Sequence, residues 1–363
     1  MSEADRHSVT MTKAVGIVLM VLAHTLTYGT VLRSVIYTFH MPLFFIMSGY
    51  CFKEKYLGDA KQCVVRKIKG IYVPFVLFAL PFLALHNVFC SWYFYEPDWL
   101  YGWKDFAWNA GRIVTRMSHN EGLLGTFWFL KELFWGNMIF YAALRLMKCL
   151  KGEWMKGIRA EWITAISLFA LAEVLCMTHW RIPYFNVTHA SVLAAFFIAV
   201  GYLWKSNDER ISELGIRGHW WIWLIGVALI AGELIMFGTQ DFRNLTATTL
   251  PVYVLPAIAG TMMVFGLCRL VLPYVKGVGL KIWEFIGNHS LAIMALHFTA
   301  FKLVSLAYIK VHGLPMMRLT EFPVMSDVAN IGGGRVAVSV RGNLHPLSMR
   351  LGMASCKAEW CNV

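Results

Sequence analysis

The sequence predicts an all-α, polytopic transmembrane helical bundle, and three observations support that fold class. Hydrophobic residues make up 58% of the 363 residues, and only 15% are charged, whereas about a quarter of a soluble domain is charged. The mean hydropathy is +0.56. The apolar residues are grouped in blocks of roughly 18 to 25, the length that crosses a bilayer as a helix. Basic loops separate these blocks, as expected for a chain that crosses the membrane repeatedly.

The apolar blocks predict nine membrane spans. The two longest, residues 245–272 and 282–311, contain Pro256 and Asn288, where we expect a tilt or a break. In chain order the predicted spans are 14–30, 35–52, 70–90, 122–147, 162–180, 184–204, 220–238, 245–272 and 282–311.

The distribution of basic residues predicts the orientation. With these spans, alternate loops carry seventeen lysines and arginines on one side and six on the other. Basic loops face the cytoplasm, so we expect a cytoplasmic N-terminus and a multi-pass protein of the cell inner (plasma) membrane. The net charge of +12 is explained by this topology, and no nucleic-acid partner is expected.

The sequence predicts no metal site, because no cluster of His, Cys, Asp or Glu has the spacing of metal ligands. The eight cysteines form no CxxC pair, and most lie in apolar blocks, which favours buried hydrophobic roles over disulfides or metal ligation. The long loop 91–121 begins "SWYFYEPDWLYGW". Such aromatic residues are typical of the membrane interface, and a sugar-stacking surface is the less favoured alternative.

The C-terminal segment differs from the rest of the chain. We predict a membrane domain at 1–311 and a polar, poorly ordered tail at 312–363, because the tail has no spanning run and no helical period. Its composition changes as if the reading frame had shifted. Resequencing the 3′ end of the coding DNA would test that hypothesis, and an unchanged frame would reject it.

The stretch "KAVGIVLMVLAH" places Lys13 and His24 at the two ends of an apolar run. Eleven residues are about three helical turns, so both side chains lie on one face, roughly 16 Å apart. Lys13 could simply anchor the helix at the interface, and His24 could hydrogen bond to a neighbouring helix. A neutral imidazole is also the best general base near pH 7.

Other polar residues in predicted spans are candidates for function, because ionisable groups within a bilayer are costly. The second span contains His40 and Ser48, and the ninth contains Asn288, Ser290 and His297. Simpler roles remain open: His40 could lie at the interface, Ser48 could allow close helix packing, and Asn288 or Ser290 could cap a helix. The remaining ionisable residues in predicted spans are Lys131, Glu132, Glu173, Glu233 and Lys302.

These residues occur within a set of ordered motifs. Lys13-x10-His24 is followed by "FHMPLFFIMSGYCFKEK", "RKIKGIYVP", "GTFWFLKELF" and "FIGNHSLAIMALHF". The order resembles that of the membrane acyltransferase-3 family, integral-membrane O-acetyltransferases that modify sugars of bacterial surface polysaccharides. The resemblance runs from about residue 12 to residue 311. It implies about ten helices and the transfer of an acyl group from acyl-coenzyme A to a glycan hydroxyl.

The resemblance also assigns residues. The family's N-terminal basic residue, usually arginine, corresponds to Lys13, and its histidine eleven positions later corresponds to His24. Its aromatic-His-x-Pro and Ser-Gly positions correspond to His40, Pro42, Ser48 and Gly49. Its terminal Asn/Ser and His positions correspond to Asn288, Ser290 and His297. Thr10 stands where related chains often have aspartate, and the tail stands where a tenth helix is expected.

We therefore predict an integral-membrane O-acyltransferase, with an acetyl group as the favoured cargo. His24 and His40 are the catalytic candidates, and Lys13 and Arg66 are candidates for binding phosphates. Ser48, Asn288, Ser290 and His297 complete the substrate-binding set. We expect acyl-CoA as co-substrate with no bound cofactor, a carbohydrate or lipid-linked glycan as acceptor, and contact with the lipid bilayer. A polytopic transporter or glycan exporter is the alternative, and a membrane scaffold is the third possibility.

Overall fold

The computed structural model describes residues 3–150, 159–208 and 220–325. Within those ranges the chain is helical, with one isolated β-bridge between Ile182 and Val187 and no β-strands. The predicted fold class is therefore confirmed. The α-helices in chain order are α1 (Glu3–Thr25), α2 (Val31–Tyr50), α3 (Lys55–Gly58), α4 (Ala60–Lys67), α5 (Val73–Ala84), α6 (His86–Ser91), α7 (Trp103–Arg116), α8 (Trp128–Leu150), α9 (Ala160–Thr178), α10 (His189–Ser206), α11 (Trp220–Phe237), α12 (Leu250–Val271), α13 (Val278–Asn288) and α14 (Ser290–His312).

Seven helical segments of the described chain are long and apolar enough to cross a membrane. They are Asp5–Thr25, Val31–Tyr50, Ala60–Ala84, Ala160–Thr178, His189–Ser206, Leu250–Tyr274 and Ser290–His312. The apolar segment Trp223–Phe237 in α11 is shorter, and α8 has the length but carries Lys131 and Glu132 near its start. The chain is thus a multi-pass membrane protein, whereas the count of nine spans stays a prediction.

Two helices begin before the spans predicted for them. Helix α1 begins at Glu3, whereas the first predicted span begins at residue 14, because residues before it, such as Ser8 and Val9, are helical and buried. The third span begins at Ala60 instead of residue 70. The basic segment before Gly70 is helical, and a π-helical turn, Ile68–Tyr72, joins α4 to α5.

The two expected helix breaks have different outcomes. Pro256 lies inside α12 without interrupting it. A break does occur beside Asn288, where His289 separates α13 from α14. His289 occupies the N-cap position of α14 and makes no side-chain cap bond. Neither Asn288 nor Ser290 therefore occupies the N-cap position of α14.

The centre of the bundle is a close crossing of α2 and α10. A Cβ at Gly49 would collide with the backbone carbonyl of Ile198, and one at Gly201 would collide with the carbonyl of Ile46. Small residues allow two helix backbones to approach this closely. The crossing holds α2, which carries Arg33, His40 and Ser48 of the cavity lining, in a fixed position at the core.

The segment after α14 folds back onto the bundle. A 3₁₀-helix, Met316–Thr320, follows Gly313, and both Leu319 and Met325 are fully buried. Residues 313–325 are thus packed, although we expected poor order from residue 312. The rest of the predicted tail, 326–363, lies outside the described residues, and the division into two regions stays a prediction.

A buried contact between His86 and Glu121 organises the segment between α6 and α8. His86 Nδ1 lies 3.0 Å from Glu121 Oε2, and both side chains are almost completely buried. The other ring nitrogen lies 2.7 Å from the carbonyl of Trp99, and the ring stacks on Tyr101 at 3.6 Å. Part of the aromatic loop thus forms a local core, and the loop also contains the helix α7, which the sequence interpretation missed.

Candidate functional site

A cavity of about 930 Å³ runs between α1, α2, the α4–α5 segment and α14. Lys13, Ile17, Met20, His24 and Tyr28 all line it. The first four of these residues lie on α1 and recur every three or four positions, so the predicted face of α1 is the face that the cavity follows, and Tyr28 lies in the turn after the helix. Lys13 and His24 are separated by roughly 16 Å of helix axis.

One end of the cavity is strongly basic. We call it the basic end and define it by Lys13, Lys53, Arg66 and Lys67, which all line the cavity. The Arg66 guanidinium lies over the ring of Tyr56 at 5.2 Å, so its long side chain is held towards the lumen. Four cations in one mouth form a site suited to an anion such as a phosphate.

The opposite end contains three imidazoles, and we call it the histidine end, defined by His24, His40 and His297. The ring of His24 lies 5.5 Å from that of His297 and 6.3 Å from that of Tyr37, and Tyr37 in turn lies 5.1 Å from His40. His24 and His40 line the cavity, and His297 is buried directly behind His24. Three separate helices therefore bring their histidines to one place.

Backbone contacts fix the tautomers of two of these rings. His40 Nδ1 lies 2.8 Å from the carbonyl of Ile36, and His297 Nδ1 lies 2.9 Å from that of Met294. A carbonyl oxygen can only accept, so each Nδ1 carries the proton and donates. In a neutral ring Nε2 then keeps its lone pair, and an imidazole in that state can accept a proton.

Arg33 is a buried cation at the same end. It is 5% exposed, and its guanidinium donates to the carbonyl of Leu26 and to the Tyr37 hydroxyl at 3.2 and 3.1 Å. The guanidinium also stacks on Tyr28 at 3.6 Å. The sequence pattern assigns Arg33 to a loop between the first two predicted spans. The spacing of Arg33, Tyr37 and His40 at i, i+4 and i+7 could have placed all three on one helix face.

The other predicted residues lie along the cavity between or beside these ends. Ser48, Asn288 and Ser290 line it, and Ser48 Oγ donates to Asn137 Oδ1 at 3.1 Å. Seven of the eight predicted site residues therefore line one cavity, and the eighth, His297, contacts His24. Their roles in binding or catalysis stay predictions.

A loop far away in sequence supplies further polar residues. Asp241 and Arg243, which precede α12, both line the cavity. Asp241 accepts from the backbone N–H of Arg243 at 3.2 Å, and Arg243 lies over Trp128 at 5.2 Å. No motif within that loop distinguishes these two residues, so only the fold could associate them with the histidines.

Comparison with known families agrees with this geometry. The model of the acyltransferase-3 family, described as an acyltransferase domain, matches residues 6–326. The chain belongs to this family. It is therefore a membrane acyltransferase, as the order of its motifs indicated. No curated protein and no solved structure matches the chain.

Several ionisable residues of the acyltransferase lie away from the cavity. Lys131 and Glu132 form an ion pair of 3.1 Å, and Ser191 donates a hydrogen bond to Glu132. Glu233 is buried on α11, and Lys302 is buried on α14. Within the described ranges, no group of three or more His, Cys, Asp or Glu side chains is placed to hold a metal ion.

Proposed function

We propose that this protein is an integral-membrane O-acyltransferase that moves an acyl group from acyl-CoA to a hydroxyl of a carbohydrate. The acyl group is most simply acetyl, and the acceptor belongs to a surface polysaccharide or glycolipid. The observation that carries the proposal is the single cavity that joins four cations at its basic end to imidazoles at its histidine end.

The basic end suits the donor. Coenzyme A carries several phosphates, and its pantetheine arm is an extended chain that ends in the thioester. Lys13 and Arg66, with Lys53 and Lys67 beside them, supply cations for those phosphates. Phosphates held there would let the pantetheine arm run along the face of α1 towards His24, a distance comparable with the arm's own length.

The histidine end suits the chemistry. His24 accepts the proton of the acceptor hydroxyl as its oxygen attacks the thioester carbonyl carbon. The resulting tetrahedral oxyanion collapses, the carbon–sulfur bond breaks, and the coenzyme A thiolate takes the proton from His24. The transfer is direct and needs no acylated side chain. His40, with its Nδ1–H committed to Ile36, is the second candidate base.

Arg33 provides the positive charge that such an oxyanion requires. Buried, preorganised donors stabilise a developing negative charge more strongly than donors in water do. Within the histidine end, Arg33 is buried and is held by Leu26 and Tyr37. We therefore assign the oxyanion-stabilising role to Arg33, a role for which the sequence alone offered no candidate beyond His40 or a backbone N–H.

The membrane topology gives each substrate its own entrance. The excess of basic residues in alternate loops favours a cytoplasmic N-terminus in the inner membrane. In that orientation the basic end faces the cytoplasm, where acyl-CoA is present. The histidine end then lies in the outer half of the bilayer, closer to a glycan acceptor.

Mass analysis of surface glycan from cells with and without the gene tests the proposal. Loss of acetyl mass in the deletion strain, restored by the full-length chain, is the expected result. Sugar retained in the cytoplasm would favour an exporter, and an unchanged glycan would contradict both functions.

The substitution His24→Ala tests the assigned base. We expect O-acetylation to fall by roughly two to four orders of magnitude, the usual contribution of general base catalysis, with membrane insertion unchanged. His312→Ala is the matched control, because His312 is exposed at the far end of α14. Normal acetylation in the His24→Ala strain would remove His24 from the mechanism.

A further inference from the structure

Lys302 is a buried cation that the proposed chemistry does not use. It lies on α14 and is 1% exposed. Its ammonium donates to the carbonyls of Leu319 and Glu321 at 2.6 and 2.7 Å. A buried ammonium is costly unless its protons are hydrogen bonded, so these two carbonyls are its compensation. Lys302 therefore ties α14 to the segment that follows it.

The tied segment forms part of the cavity wall. We call residues 319–323 the strap. Leu319 is fully buried, whereas Phe322 and Pro323 line the cavity. The ring of Phe322 packs on Phe298 at 4.7 Å, and Phe298 packs on His24 at 5.1 Å. The strap thus places an aromatic ring one side chain away from the proposed base.

Phe322 combines a fixed position with a free face. It is 46% exposed, although the strap around it is anchored by Lys302. The polar side chains of Arg33, Asp241 and Arg243 line the same cavity. An aromatic ring beside a few polar groups is the composition of a site that orients a small ligand with both apolar and polar surfaces. A sugar ring has both, because its C–H face is apolar and its hydroxyls are polar.

We propose that Phe322 is the platform of the acceptor subsite, on which the C–H face of a sugar ring stacks with a hydroxyl directed at His24. Lys302 is the positioning residue that holds this platform in place. The inference rests on the proposed O-acyltransferase function and deepens it, because it names the surface that selects a cyclic sugar over other hydroxyl compounds.

Three substitutions at Phe322 distinguish a ring that stacks on the sugar from a side chain that only fills the cavity wall. Full-length variants are expressed in the deletion strain, and acetyl groups per repeat of purified surface glycan are measured by mass spectrometry. Phe322→Ala and Phe322→Leu should each lower acetylation about tenfold, the scale of one lost aromatic contact, whereas Phe322→Tyr should retain it. Wild-type acetylation in Phe322→Leu would overturn the platform, because leucine keeps the apolar volume without the ring.

The control is the binding of radiolabelled acetyl-CoA to membranes that contain each variant. All Phe322 variants should bind acetyl-CoA like the wild type, because the donor enters at the basic end. Phe285→Ala should leave both measurements unchanged, since Phe285 is 63% exposed on α13 and does not line the cavity. If the wild type neither binds acetyl-CoA nor acetylates glycan, the proposed function fails and this inference fails with it.

Lys302→Met tests the positioning role of Lys302. Lys310→Met, on the exposed side of α14, is the matched control. We expect Lys302→Met to lower acetylation as Phe322→Ala does, with acetyl-CoA binding retained, and Lys310→Met to change neither. Acetylation at the wild-type level in Lys302→Met would overturn the positioning role. If Lys302→Met does not accumulate in the membrane, the Phe322 series alone decides the proposal.

Discussion

Lys13 lies at the basic end of the cavity, on the face of α1 that also carries His24. Its ammonium is a point charge, whereas the arginine usual at this position in the family presents a planar fork that binds a phosphate through two parallel hydrogen bonds. If acyl-CoA binds here as proposed, lysine makes a weaker phosphate contact at this position than arginine would. Three further cations share the basic end and would add to the attraction for the phosphates.

Lys13→Arg should therefore tighten acetyl-CoA binding, by about fivefold if one charge-assisted hydrogen bond is added. Lys13→Gln should weaken it about tenfold, because the charge is lost. Radiolabelled acetyl-CoA binding to membranes that contain the full-length variant measures both changes. Lys310→Gln, outside the cavity, should bind like the wild type, and equal affinity of the Arg, Lys and Gln variants would contradict a donor role for position 13.

The buried side chain of His119, in the segment between α7 and α8, makes the stability of the fold depend on pH. It lies between Phe75 and Phe127, and burial, reinforced by the nearby cations Arg112 and Arg243, lowers its pKa from 6.5 to about 4. The unfolded chain binds the proton more readily than the folded chain does between these pH values. The stability that neutral His119 contributes is therefore present above pH 6.5 and is lost as the pH falls towards 4.

His119→Gln should flatten the pH dependence of stability in that window, since glutamine does not titrate. The wild type should lose up to about 3 kcal/mol through this residue on acidification. Thermal unfolding of the detergent-solubilised protein at pH 7, 5.5 and 4.5 measures the slope. Equal slopes for the two proteins would show that another group controls the acid response.

For individual helices, the spacing of residues predicts well which side chains share a face, but it predicts poorly where a helix begins. The eleven-residue spacing of Lys13 and His24 predicted a shared face, and both residues line the cavity. The basic run before Gly70 predicts a loop, because charge is usually excluded from membrane spans. That run is helical instead, and Arg66 and Lys67 on it line the cavity.

Where α2 and α10 cross, the two helix backbones leave no space for a Cβ atom. Gly201→Ala would press its Cβ into the backbone carbonyl of Ile46, and a rigid backbone atom cannot rotate away. We expect a loss of about 3 kcal/mol, the upper part of the usual overpacking cost, measured as a lower midpoint of thermal unfolding in detergent.

Gly232→Ala on α11 is the matched control for this substitution. No atom lies within 4 Å of the Cβ it would add, and alanine favours a helix over glycine by about 1 kcal/mol. Its midpoint should stay level or rise. A Gly201→Ala protein as stable as the wild type would show that the two helices can separate without cost.

At the scale of the whole molecule, the candidate site is an assembly of distant segments. Local motifs indicated His24, His40 and His297, because each lies in a pattern that can be recognised within one helix. They could not indicate Asp241 or Phe322, because these residues lie in irregular segments that reach the cavity only in the folded chain. The burial of Arg33 is not predictable from the sequence for a related reason. An arginine at a helix start resembles a loop charge, and only the fold shows its contacts with Tyr28 and Tyr37.

The same assembly predicts that donor binding closes the basic end to reagents from the cytoplasm. Cys51 is exposed and lines the cavity beside Lys53, whereas Cys149 is exposed at the end of α8 and does not line it. By the positive-inside argument both thiols face the cytoplasm. Acetyl-CoA at the basic end should therefore slow maleimide labelling of Cys51 at least several-fold, by covering it, and leave Cys149 unchanged.

Labelling of inverted membrane vesicles with a membrane-impermeant maleimide, read by peptide mass spectrometry, measures both cysteines in one sample. Inverted vesicles expose the cytoplasmic face, so Cys51 and Cys149 should react there and remain unlabelled in right-side-out cells. Labelling of both in intact cells would reverse the assigned orientation. Labelling of Cys51 at the same rate with and without acetyl-CoA would instead place the donor elsewhere, because a ligand held by Lys13 and Arg66 cannot leave this neighbouring thiol equally accessible.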